Sequence, residues 1–170
     1  MKRASVLLTS AAAVTAVLAS AVLQPEPRLV WNLTASAPLG AYRVQPGAQP
    51  AVGDYAVVRP PDPLAKWLMR RGYIAEGVPL LKRVAALPPS RVCRINGSVT
   101  INGAPAAFAR ERDSFGRPLP VWSGCRRLAP DEVFLLNTAA PDSLDGRYFG
   151  PLPAGSIVGR ATPLRQPEAR

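Results

Sequence analysis

Twenty prolines and thirteen glycines are spread through the 170 residues of this chain, a density that few long helices tolerate. Proline lacks the amide N–H and fixes φ, so it interrupts helix interiors and central strands alike. A helical bundle is therefore excluded, and an antiparallel, mainly β domain with many turns is expected. The length suits one domain with a real hydrophobic core.

One stretch escapes the prolines. After Met1-Lys2-Arg3, residues Ala4 to Leu23 carry neither charge nor proline, and Gln24-Pro25-Glu26-Pro27 ends any helix there. At ~1.5 Å per residue, twenty residues just span a ~30 Å hydrocarbon core. The segment reads either as a retained transmembrane anchor or as a signal peptide cleaved near Ala19-Ser20-Ala21. Both readings divide the chain into a 1–23 targeting segment and a 24–170 domain outside the cytoplasm. In that compartment Cys93 and Cys125 would pair as a disulfide; the alternative is two buried free thiols.

The remaining composition narrows the chemistry. Histidine is absent, which excludes a Ser-His-Asp triad, a Cys-His dyad and a His general base. Two cysteines and no histidine leave no usual zinc site, and no metal or cofactor is expected. The 21 Lys and Arg residues outnumber 11 Asp and Glu, but the longest basic runs are pairs without interleaved aromatics. Nucleic acid is therefore not expected as a partner, and an anionic membrane surface suits the charge better.

Along the domain, short strands are expected at Ala41–Val44, Tyr55–Arg59, Pro79–Leu87, Asp131–Leu136 and Ser156–Arg160. Arg91–Ile95 and Ser98–Ile101 flank Asn96-Gly97, a hairpin signal, and Asn102-Gly103 reverses the chain again. Residues 104–128 read as irregular. A single helix over residues 62–71 follows from an N-capping Asp62, Pro63 at the first helical position and Gly72 as the stop.

Lys82 is one of only three lysines, with Lys2 and Lys66, and lies in Leu80-Leu81-Lys82-Arg83-Val84-Ala85-Ala86-Leu87. On a strand it shares a face with Leu80, Val84 and Ala86. Burial there would favour the neutral amine, a general base that replaces the missing histidine; otherwise the side chain snorkels to solvent. Lowering its pKa from about 10.4 to near 7 takes about 4.6 kcal/mol. A hydroxyl nucleophile must accompany such a base, and Thr34-Ala35-Ser36-Ala37-Pro38-Leu39-Gly40 offers Ser36 on a tight bend.

The order of anchor, serine and apolar-flanked lysine resembles the signal peptidase I family of serine/lysine proteases, and within it the TraF branch. Four segments carry the resemblance: residues 34–40, Gly53-Asp54-Tyr55-Ala56-Val57-Val58, Lys82-Arg83-Val84-Ala85-Ala86-Leu87-Pro88, and Ser143-Leu144-Asp145-Gly146-Arg147-Tyr148-Phe149-Gly150. The resemblance implies a signal-peptidase-like β-sheet or barrel domain with one short helix. It further implies Ser36 as nucleophile, Lys82 as base, and an oxyanion hole from the Thr34 hydroxyl and the Ser36 backbone N–H. Ser143 would orient the lysine, and Asp145 with Arg147 would form a supporting ion pair. Gly146 and Asn137-Thr138 depart from the family pattern.

The resemblance implies as substrate a membrane-tethered conjugal pilin precursor, with the intermediate resolved by water or by the pilin's own N-terminus to give a cyclic product. It places the chain at the inner membrane with its catalytic domain in the periplasm, or free in the periplasm if the first segment is cleaved. Two other readings stay open: a general signal peptidase, and a non-enzymatic periplasmic β-domain of a transfer apparatus, with Ser36 and Lys82 far apart.

Overall fold

A computed structural model describes residues 2–23 and 26–164, with side chains from residue 3 to 19 and from 26 onward; Gln24 and Pro25 of the expected helix stop lie outside them. Helix α1 spans Lys2–Leu23. Its described side chains are exposed, and twelve of residues 4–23 are Ala, Ser or Thr. Among the described residues, no helix is long and apolar enough to cross a membrane, so a helix stands where a bilayer span was expected.

The domain is built from two antiparallel sheets. The larger has seven strands in the order β1-β2-β11-β3-β4-β9-β10. These are Leu29–Asn32, Gly40–Pro46, Ile157–Pro163, Tyr55–Val58, Leu80–Ala86, Glu132–Leu135 and Leu152–Pro153. The smaller is β7-β6-β5-β8, formed by Ala104–Phe108, Ser98–Ile101, Arg91–Ile95 and Gly124–Arg127. Helix α2 covers Asp62–Arg70 and α3 Gly146–Phe149.

Strand β4 is central to the large sheet, between β3 and β9, and is buried on both faces. Leu81 packs with Ala37, Tyr42 and Val57 on one side; Leu80 and Val84 pack with Ala56, Val133 and Leu135 on the other. This two-sided core is why the strand reads as a continuous apolar run rather than an alternation. The two Asn-Gly turns form as expected: Asn96 and Gly97 adopt φ of 50° and 81°, Asn102 and Gly103 of 51° and 85°. Positive φ at both central residues is the geometry whose twist matches the flanking strands.

The structure corrects several expectations. Helix α2 is capped by Pro61 with no side-chain hydrogen bond, and Asp62 lies inside its first turn. Proline at the first or second position removes an amide that would otherwise need a cap. The stretch 104–128 is not wholly irregular. Strand β7 is zipped onto β6 by the Asn102-Gly103 turn, and β8 pairs with β5 in a register that sets Cys125 opposite Cys93. Neither strand has an apolar alternation to betray it, since β8 is exposed throughout. Among the described residues of the domain, α3 and a 3-10 turn at Ala154–Ser156 join the single helix expected.

Cys93 and Cys125 are joined by a disulfide across β5 and β8, separated by 32 residues in sequence. Closing a loop of that length restricts the unfolded chain by about 3–4 kcal/mol. The Cys93→Ala/Cys125→Ala protein is expected to lose about that much stability in urea unfolding, with the Lys82 region of the large sheet unchanged.

Candidate active site

The Ser36 loop follows edge strand β1 and is organised by Asn32, a residue the sequence did not single out. Asn32 is buried, and its Oδ1 accepts from the Thr34 amide at 3.1 Å and the Thr34 hydroxyl at 2.9 Å. Its Nδ2 donates to the carbonyls of Thr34, Ala37 and Pro38 at 2.9, 2.9 and 3.0 Å. One carboxamide thus satisfies five backbone or hydroxyl groups of a turn that has no ladder of its own. Tyr42 adds a hydrogen bond to the Pro38 carbonyl at 2.9 Å, and burial pushes its pKa up to about 12, so it remains a donor. Ser36 Oγ lies 3.0 Å from Thr34 Oγ1. Because the Thr34 proton goes to Asn32, Ser36 is the donor in that pair.

Ser36 opens onto a cavity of about 490 Å³ whose wall includes Pro38, Leu39, Tyr55, Arg83 and Asn137. Arg83 lies over the Tyr55 ring at 4.7 Å and donates to its hydroxyl at 3.0 Å. A larger cavity of about 590 Å³, beside Arg59 and Pro153, holds none of the groups singled out above.

Lys82 is 5% exposed, so it does not snorkel. Its Nζ donates to Ser143 Oγ at 2.9 Å. Burial lowers its pKa from 10.5 to about 8; Asp145 opposes the shift and Arg147 assists it. The ion pair of Asp145 and Arg147 is itself almost fully buried, with Nε to Oδ1 at 2.8 Å and Nη2 to Oδ2 at 3.1 Å. Arg147 also donates to the carbonyls of Asn137, Ala140 and Pro141. A guanidinium buried with its fork matched to carboxylate and carbonyls is fully satisfied, the condition under which a buried charge is tolerated.

Gly146 lies between the two members of that pair. A Cβ there would stand 2.6 Å from the Leu135 carbonyl oxygen and 2.7 Å from the Phe134 ring. The departure from the family pattern at this position therefore has a packing cause: the turn lies directly on β9.

The groups fall into two sets. Thr34 and Ser36 are hydrogen-bonded to each other, and Lys82, Ser143, Asp145 and Arg147 form a buried network. Among the described residues Ser36 and Lys82 make no hydrogen bond to each other. Asn137 connects the sets, since it lines the Ser36 cavity and hydrogen-bonds strand β4 on both sides of Lys82. A side-chain hydroxyl beside a cavity, with a neutralisable amine in the adjoining core, can support acyl transfer. No group of three or more His, Cys, Asp or Glu residues is placed to hold a metal among the described residues.

The signal peptidase family, peptidase S26, matches residues 1–164. The conjugal transfer protein TraF of Agrobacterium tumefaciens (strain 15955) is 36% identical over 173 residues, covering 96% of each chain. A probable conjugal transfer protein TraF of Sinorhizobium fredii is 38% identical over 140 residues, 76% of this chain and 73% of the relative. A plasmid transfer protein TraF of Escherichia coli is 33% identical over 78% of this chain and 80% of its own length. A solved signal peptidase I of Enterococcus faecalis covers 66% of this chain and 97% of its own, with a TM-score of 0.39 and 20% identity.

The buried amine makes folding pH-dependent. The native state holds the Lys82 proton less tightly than the unfolded chain, so stability rises with pH from about 8 to 10.5. Below pH 8 the full penalty, about 3 kcal/mol, is in place. Lys82→Met is expected to flatten that rise in urea midpoints between pH 7 and 10.5; a persisting rise would assign it to another group. Gly146→Ala is expected to cost about 1–3 kcal/mol of stability through overpacking, read in the same unfolding assay.

Proposed function

The chain belongs to the signal peptidase family, peptidase S26, and on that basis we propose that it is a serine endopeptidase in which Ser36 attacks and Lys82 is the general base. The observation that carries this reading is the Lys82 amine. It is buried, bonded to Ser143 and held near the pKa a base needs at neutral pH. At pH 7 about a tenth of it is neutral, and about half at pH 8.

At rest both side chains are satisfied by other hydroxyls: Ser36 by Thr34 and Lys82 by Ser143. Substrate entry into the cavity brings Nζ to Oγ, a contact that apo enzymes commonly make only in the complex. Neutral Lys82 then takes the Ser36 proton as Oγ bonds to the scissile carbonyl carbon. The oxyanion is held by the Ser36 backbone N–H and by the Thr34 hydroxyl, which must turn away from Asn32 to donate. Protonated Lys82 passes its proton to the departing amine, leaving an ester on Ser36. Water, or an incoming amine, attacks that ester and restores the hydroxyl.

The TraF relatives direct the substrate proposal to conjugation: a pilin precursor, its acyl-enzyme resolved by water or by the pilin's own amino terminus. Attachment to the inner membrane, with the domain on the periplasmic side, is supported by α1, which exposes Val6, Leu7, Leu8, Val14, Val17 and Leu18. Trp31, Leu33 and Leu39, all exposed and near Ser36 in sequence, suit a substrate that is itself membrane-tethered. The disulfide fits an oxidising compartment.

Purified chain incubated with a pilin precursor is expected to cleave it faster than it cleaves a panel of secreted precursors. Ser36→Ala and Lys82→Arg are each expected to lower kcat/KM by at least about 10³-fold, since arginine stays charged and cannot act as base. The wild-type rate is expected to rise with pH and level off above about 8. Full cleavage by either variant sinks the dyad, and equal cleavage of the whole panel points to a general signal peptidase.

A further inference from the structure

Strand β9 stops short of Lys82. Its ladder with β4 runs through Val84 opposite Leu135, and the Leu136 amide donates to the Arg83 carbonyl at 2.9 Å. One residue further the chain leaves the sheet, and the two backbone groups of β4 on either side of Lys82 would lose their partners. The Asn137 side chain takes over. Its Oδ1 accepts from the Arg83 amide at 2.7 Å, and its Nδ2 donates to the Leu81 carbonyl at 3.4 Å. A carboxamide has the donor and acceptor of a peptide group, so it continues the ladder while its own backbone turns away.

That backbone is engaged elsewhere. The Asn137 amide donates to Asp145 Oδ2 at 3.0 Å, and its carbonyl accepts from Arg147 Nη2 at 3.0 Å and from the Ala140 amide at 3.0 Å. The Ala140 carbonyl then accepts from the Ser143 amide at 3.0 Å. Asn137 is 4% exposed, yet it also forms part of the Ser36 cavity wall. One residue therefore fixes the strand that bears Lys82, the turn that bears the lysine's hydroxyl partner, and a wall of the cavity that receives substrate.

We propose that Asn137 is a positioning residue for the Ser36/Lys82 reaction, holding Lys82 against Ser143 beside the substrate cavity by replacing the missing strand bonds of β4. The proposal rests on the serine/lysine reading above. It assigns a role to a position where this chain departs from the family pattern.

The three lysines make the test direct, because ε-¹³C-lysine labelling of the full chain gives three NMR signals to titrate. In Asn137→Ala, water gains access to the amine, and the Lys82 midpoint is expected to rise from about 8 by at least ~0.5 pH unit. The Arg83 amide is expected to exchange at least ~10-fold faster. With the pilin precursor, kcat is expected to fall at least ~10-fold while KM stays within about threefold. Asn137→Asp keeps the acceptor for the Arg83 amide, so that amide stays protected, while the lost donor to Leu81 is expected to lower kcat at least ~10-fold; its added charge raises the Lys82 midpoint in any case, so kcat is the readout in this variant. This variant decides the matter if Asn137→Ala does not fold.

A merely structural Asn137 would lower stability in both variants while leaving the Lys82 midpoint of Asn137→Ala, and kcat of either folded variant, at wild-type values. That outcome overturns the proposal. It leaves the dyad standing, because the dyad is tested by Lys82→Arg and Ser36→Ala.

Discussion

The burial of one lysine organises this domain. An ammonium removed from water is unstable unless it gives up its proton or finds full compensation, and Lys82 is placed so that it holds its proton less tightly than a free lysine. Among the described residues, the hydrogen-bond partner of its amine is a neutral hydroxyl, Ser143, and the nearby carboxylate of Asp145 is taken by Arg147. Were Asp145 free to pair with the lysine, the amine would stay charged. The Arg147 fork therefore matters beyond the turn it holds: it occupies the group that would otherwise fix the proton on Lys82. The same arrangement costs stability below pH 8, a burden that a chain selected for stability alone would shed by placing an apolar residue there.

The Ser36 turn solves a different problem. Ser36 lies on a turn between two edge-side strands, where no ladder holds the backbone, and two asparagines supply what the sheet does not. Asn32 closes the turn from within, and Asn137 carries the β4 ladder past the end of β9. Both are buried and both use all or nearly all of their polar capacity. Buried amides of this kind are expensive unless satisfied, and when satisfied they fix one geometry. Here that geometry sets a hydroxyl at the cavity and an amine just behind its wall.

Much of this was legible from the residues. The Asn-Gly hairpins, the apolar run of β4 and the helix near residue 62 follow from period, turn chemistry and hydrophobic context, whereas that context left Lys82 either buried or snorkelling, and the resemblance favoured the buried reading. The Cys93–Cys125 bond followed from compartment rather than geometry. What escaped were elements without a local signal. Strand β8 is exposed and β7 only partly buried, both formed by their neighbours, and α3 is a single turn defined by Asp145 and by the close approach of Gly146 to β9. Asn32 and Asn137 escaped for a related reason. A lone asparagine in a loop is usually a turn residue, and only the positions of the strand ends reveal which backbone groups lack partners. The Thr34 hydroxyl, assigned to the oxyanion hole by resemblance, rests instead on Asn32, a detail no spacing could show.

The proposed reaction requires that Ser36 form a covalent ester under the control of Lys82. Acid-quenching the enzyme during turnover of a pilin precursor, followed by trypsin digestion and mass spectrometry, detects that ester. Cleavage after Arg28 and Arg43 isolates a peptide in which Ser36 is the only serine. An acyl adduct is expected on Ser36 of that peptide, present in the wild type and absent in Lys82→Arg. An adduct on another residue, or one formed equally well without the lysine amine, would overturn the proposed dyad.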